Sequence, residues 1–118
     1  GKGSVGGTVG RASARAVQAA GSIDRDAVAK VINSHLHEVS SCYERALLTT
    51  PGLAGKVQLE WTIGSAGKVT TVRTKNSTLR SSAVEGCILN ALKKWEFPRP
   101  RGGSVIISYP FLFNSVGF

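Results

Sequence analysis

Cys42 and Cys87 are the only cysteines in a chain of 118 residues, and His35 stands seven residues before the first of them. On a helix that spacing puts His35 and Cys42 on one face, so the pair has the residue types of a nucleophile with its base, or of part of a zinc site. Both positions fall within an apolar stripe, and a nucleophile buried in a core has no access to substrate. His37 does not help, because residues two apart on a helix point to nearly opposite sides and cannot share an ion. For the thiols the sequence gives a face and not a distance. They are either a disulfide between two helices or two reduced core cysteines acting as small hydrophobes. A disulfide closing a loop of this length would contribute on the order of 4 kcal/mol.

Other chemistry is absent from the sequence. There is no G-x-S-x-G elbow, H-E-x-x-H pair, P-loop or dinucleotide fingerprint. The glycines of Gly3 to Gly10 have no strand before them and no Gly-Lys-Ser/Thr after them, so they read as linker. The acids Asp24, Asp26, Glu38, Glu44, Glu60, Glu85 and Glu96 sit at polar-face or helix-end positions. The expectation is a protein that is not an enzyme and holds no cofactor or metal.

The elements that would position the cysteines are legible from periodicity. Val28, Val31, Ile32, Leu36, Val39, Cys42, Tyr43, Ala46 and Leu47 recur at three- and four-residue spacing, predicting a first helix over about Arg25–Leu48. Asp24 is its N-cap, Ile23 a staple against Val28, and Pro51 and Gly52 stop it. Strict alternation of Val57, Leu59, Trp61 and Ile63 predicts a half-buried strand over Lys56–Ile63. A turn at Gly64–Gly67 leads to a second strand from Lys68 to about Asn76, in which Val69 and Val72 are out of phase, as a bulge near Thr70 and Thr71 would make them. Ser82 and Glu85 have capping-box spacing, and Val84, Cys87, Ile88, Ala91, Leu92 and Trp95 mark the inner face of a second helix. After Pro98 and Pro100, the run Ser104–Phe113 reads as a third strand, with Pro110 requiring a sheet edge or a change of direction.

The predicted fold is α+β: two helices on one face of a three-stranded antiparallel sheet, in the order helix-strand-strand-helix-strand and with strand order 2-1-3. This domain spans 23–118. Residues 1–22 are mostly Gly, Ala, Ser and Arg with Val as the only large hydrophobe, and they read as a flexible linker. The formal charge of +8 suits acidic partners in general, and Lys93, Lys94, Arg99 and Arg101 cluster near the end of the second helix. Nucleic acid is not expected, because most aromatics lie at core-type positions and not on an exposed stacking face. No stretch has the eighteen or so apolar residues of a membrane span, and the start of the chain lacks a signal-peptide layout; it reads as an excerpt of a longer protein.

With these elements placed, the chain resembles the TonB carboxy-terminal domain family, in the cysteine-containing variant of myxobacterial adventurous gliding-motility proteins. The resemblance runs from about Ile23 to Phe113. It is carried by Cys42-Tyr43-Glu44-Arg45, Leu53-Ala54-Gly55-Lys56-Val57, Thr62-Ile63-Gly64, Gly67-Lys68-Val69, Cys87, Trp95-Glu96-Phe97-Pro98 and Tyr109-Pro110-Phe111-Leu112-Phe113.

The resemblance implies a periplasmic domain of a protein anchored in the inner membrane, and in that oxidising compartment it implies a Cys42–Cys87 disulfide. It also implies a binding function: a peptide strand from an outer-membrane or periplasmic gliding-complex protein, or from a TonB-dependent-transporter-like protein, adds to the sheet. The free edge expected to receive it is Ser104, Val105, Ile106, Ile107, Ser108 and Tyr109, with Pro110 closing the far end. Coupling of an inner-membrane proton-driven motor to outer-membrane components follows from the gliding reading. The alternatives are a cell-wall or anionic-polymer binding domain, a TonB-type energiser of a transporter, and self-association through the third strand.

Overall fold

The computed structural model describes residues 6–10, 15–19 and 21–116. In chain order the elements are β1 (Gly6–Gly10), β2 (Arg15–Ala19), α1 (Arg25–Ser34), α2 (Leu36–Leu47), β3 (Gly55–Ile63), β4 (Val69–Ser77), α3 (Ser82–Leu92) and β5 (Val105–Val116). From α1 onward this is the expected α+β order, with the antiparallel core sheet β5-β3-β4.

One helix was expected where two are found. The Asp24 carboxylate caps α1 by accepting from the Asp26 amide at 2.9 Å. The break comes at His35, whose backbone (φ −110°, ψ 6°) leaves the helical region and serves as the end of α1 and the start of α2. Its amide bonds three residues back, to the Ile32 carbonyl at 3.0 Å. The apolar stripe continues through the break, which is why periodicity alone merges the two segments. At α3 the N-cap is Ser81 and not Ser82: the Ser81 hydroxyl accepts from the Val84 amide at 3.2 Å. Glu85 accepts from the Ser77 hydroxyl at 2.8 Å and so ties the helix to the end of β4.

The β3–β4 hairpin carries the bulge read near Thr70, since Thr62 pairs with Thr71 and Ile63 with Val69. A second register shift lies between Gln58 and Leu59. Gly67 closes the turn with a φ of 84°, a conformation that costs other residues energy. Its carbonyl accepts from the Phe97 amide at 2.9 Å. The segment after α3 is thus pinned to the hairpin, and Trp95, beyond the helix end, still reaches the core.

The core lies between the helices and one sheet face. Val28, Ile32, Val39, Tyr43 and Leu47 come from α1 and α2, and Val84, Ile88 and Leu92 from α3. They meet Val57, Leu59, Trp61 and Ile63 of β3 and Val105, Ile107, Tyr109, Phe111 and Phe113 of β5. Successive strand residues point to opposite faces, so these two odd-numbered rows are what two neighbouring strands bury on one side.

Residues 1–22, expected to be linker, contribute two strands to the sheet. β1 pairs with the end of β5 from Gly6↔Val116 to Gly10↔Leu112, and β2 pairs with its start from Arg15↔Ser108 to Ala19↔Val105, both antiparallel. The remaining residues of that segment up to Ala20 lie outside the described residues. Strand pairing is a main-chain interaction, and a segment poor in large side chains can still supply N–H and C=O groups to an open edge.

Candidate protein-binding edge

β5 is the strand on which the binding expectation rests. Val105, Ile107, Tyr109, Phe111 and Phe113 face the core. Ile106, Ser108, Pro110 and Leu112 alternate with them on the opposite face of the sheet. There Ser108 accepts from Gln58 Nε2 at 2.8 Å, and Leu112 is 39% exposed. β5 runs through Pro110 without a break, Pro110 standing opposite Gln58 of β3. Pairing with β3 is uninterrupted from Gly55↔Phe113 to Ile63↔Val105.

The other long side of β5 was expected to be open over Ser104–Tyr109. It is occupied: Val105, Ile106, Ile107 and Ser108 stand opposite Ala19, Gln18, Ala16 and Arg15 of β2. Ser104 precedes the strand, and its carbonyl accepts from the Gly21 amide at 3.0 Å. The neighbouring Ser22 and Arg101 exchange both backbone hydrogen bonds at 2.8 Å. β1 and β2 are not legible in the sequence because they lack alternation and each has Val as its only large apolar residue. The only available signal was the β-branched Thr8, Val9 and Val17.

The opposite edge of the sheet is β4. It carries two register shifts, and its cations are engaged across the face, Arg73 with Glu60 at 2.8 Å and Lys75 with Glu60 at 3.8 Å. Bulges and charged side chains are devices by which sheet edges refuse further strands. Between Val105 and Ser108 β5 has neither in its pairing with β3.

On the helical face, Cys42 and Cys87 form a disulfide that joins α2 to α3. His35 goes to a different arrangement: its ring stacks on Trp95 with centroids 4.7 Å apart, and Nδ1 lies 2.5 Å from Glu38 Oε2. Trp95 Nε1 donates to Glu38 Oε1 at 3.2 Å. The hydrogen bond from His35 leads in holding the Glu38 carboxyl below its ordinary value, with lesser help from Trp95 and the two histidine charges and against the opposing effect of burial. His37 is exposed and 3.9 Å from the same carboxylate. Tyr43 donates its hydroxyl to the Leu53 carbonyl, and burial raises its pKa. Among the described residues no group of three or more His, Cys, Asp or Glu side chains is arranged to hold a metal.

The basic cluster of the sequence is divided in space. Arg99 and Arg101 line a cleft with Ser22, Asp24 and Ala27, whereas Lys93 lines a shallow depression with Val69 to Val72 of β4.

Over 86 residues, 73% of its length, the chain is 31% identical to Tyrosine-protein kinase MasK of Myxococcus xanthus (strain DK1622). It spans 13% of that protein's length. No family model matches the chain, and no solved structure matches it.

Proposed function

We propose that this chain is a periplasmic protein-binding module of a trans-envelope gliding-motility machine, taking up a strand from an outer-membrane or periplasmic partner along β5. The observation that carries this reading is the outer side of β5 at Val105–Ser108, which takes an added antiparallel strand in the chain itself, across the sheet from a β4 edge built to refuse one. Main-chain hydrogen bonds would supply affinity, and the alternate residues Ile106 and Ser108 selectivity. The inter-helix disulfide suits an oxidising compartment. The resemblance to the TonB carboxy-terminal family supports the setting, and the likeness to a Myxococcus xanthus protein agrees with the myxobacterial variant of that family.

The kinase activity named for that relative is not carried over. The chain has no His-Arg-Asp or Asp-Phe-Gly triplet, and phosphoryl transfer by a protein kinase depends on both. Energy would pass through the module as force, from an inner-membrane proton-driven motor to the bound partner.

Photo-crosslinking in cells tests the site. A crosslinking amino acid at Ile106 or Leu112 is expected to capture an extended segment of an envelope protein, and one at Thr71 of β4 is not. Capture from Thr71 alone would contradict the reading.

A further inference from the structure

We infer that β2 is a resident competitor for the binding edge, so that a partner gains β5 by displacing Arg15–Ala19. This inference rests on the proposed strand addition at β5 and concerns how that same edge is regulated.

Three observations carry it. The segment occupies the proposed partner positions themselves, with Arg15 opposite Ser108, Ala16 opposite Ile107, Gln18 opposite Ile106 and Ala19 opposite Val105. Its pairing is poor: the register shifts between Ala16 and Gln18, whereas β3 holds the other side of β5 without interruption. A bulged ladder gives up main-chain bonds that a regular strand would make. Finally, the segment is delivered to its place. The Gly21–Ser104 and Ser22–Arg101 hydrogen bonds, 2.8 to 3.0 Å long, fix the chain immediately after β2 against the loop that leads into β5. A Cβ on Gly21 would lie 2.3 Å from the carbonyl oxygens of Arg101 and Gly103, so the approach requires glycine.

A strand tethered at that distance competes at an effective concentration on the order of millimolar. It therefore excludes weak strands and yields to one that pairs in regular register. The pairing also defines the partner's chemistry: an extended segment, antiparallel to β5, with small residues where Ala16 and Ala19 stand opposite Ile107 and Val105.

The test uses the whole chain and a capped synthetic peptide of residues 15–20, Arg-Ala-Val-Gln-Ala-Ala. In the double variant Arg15→Pro with Ala16→Pro, adjacent residues of a strand direct their N–H groups to opposite sides, so one of the lost N–H groups must face β5. Backbone chemical shifts of Val105–Ser108 are followed as peptide is added. The peptide is expected to bind the double variant at least about 10-fold more tightly than the unaltered chain, as removal of a tethered competitor requires. Equal response by the two proteins would overturn self-competition and leave the edge reading standing. Absence of any response at Val105–Ser108 in the double variant would overturn both. Hydrogen exchange in the unaltered chain gives a second measure that needs no variant. Amides of Val105–Ser108 that point away from β3 should exchange at least tenfold faster than those that point toward it, as local opening of a weakly held strand implies; equal protection would overturn the inference.

Discussion

The backbone amide of Gly21 donates to the carbonyl of Ser104 at 3.0 Å, one residue before β5 begins. This contact decides where the amino-terminal segment runs. A methyl group on Gly21 would overlap the carbonyl oxygens of Arg101 and Gly103 at 2.3 Å. Those are main-chain atoms, so the neighbours must move as a unit. Gly21→Ala is expected to destabilise the protein by about 1–3 kcal/mol, the usual cost of forcing atoms into a filled site. Urea denaturation measures it, and an unchanged midpoint would mean that the contact is not held in solution.

The Cys42–Cys87 disulfide closes a loop with a sequence separation of 45. Chain-entropy reasoning assigns it about 4 kcal/mol, a large part of the stability of a domain this size. Replacing both cysteines with alanine should lower the denaturation midpoint accordingly. Alkylation of intact cells before lysis should find both thiols blocked as the disulfide. Two free thiols in the native protein would remove the bond and, with it, the support for an oxidising compartment.

Glu38 gives the stability a defined dependence on pH. Its carboxyl is held below the ordinary 4.5, foremost by the hydrogen bond from His35. A depressed folded-state pKa means that the carboxylate form favours the fold. The contribution is complete above about 4.5, the unfolded value, and is lost as pH falls through the lower folded value. Glu38→Gln should therefore flatten the acid side of the stability curve while leaving its shape above that range. A variant that lost stability as steeply in acid as the unaltered chain would contradict this assignment.

The two buried tryptophans should respond differently to the same substitution. Trp95 Nε1 donates to Glu38 and its ring stacks on His35. Trp61 is fully buried, and its Nε1 has no hydrogen-bond partner among the described residues. Removing an unsatisfied donor relieves a desolvation penalty, whereas removing one bonded to a carboxylate forfeits about 1.5–3 kcal/mol. Trp95→Phe is thus expected to cost more than Trp61→Phe by an amount in that range. Equal costs would show that packing alone sets both.

What could be read in the sequence depended on whether side chains or main chain made the contact. The alternation of Val57, Leu59, Trp61 and Ile63 and the stripe ending in Leu47 record burial, so strands and helices on the core face were legible. The slip in phase between Val69 and Val72 even located a bulge. The break at His35 was not legible, because the residues on either side keep to one apolar face while only the backbone changes. The capping serine was displaced by one position for a similar reason: Ser81 and Ser82 are chemically equivalent, and only geometry selects the hydroxyl that meets the Val84 amide. The candidate edge was half legible. Val105–Ser108 stood out as a strand, but its neighbour Arg15–Ala19 pairs through main-chain groups that every residue carries, and its composition resembles a linker.

Strand addition at β5 is tested most directly by nuclear Overhauser effects between the protein and a synthetic peptide of the segment captured by crosslinking. Cross-strand contacts are expected from the peptide backbone to Val105–Ser108, in antiparallel register and with the signals of Arg15–Ala19 shifted to those of a released segment. Contacts confined to β4 or to the α2–α3 face, with the β2–β5 pairing intact, would contradict it.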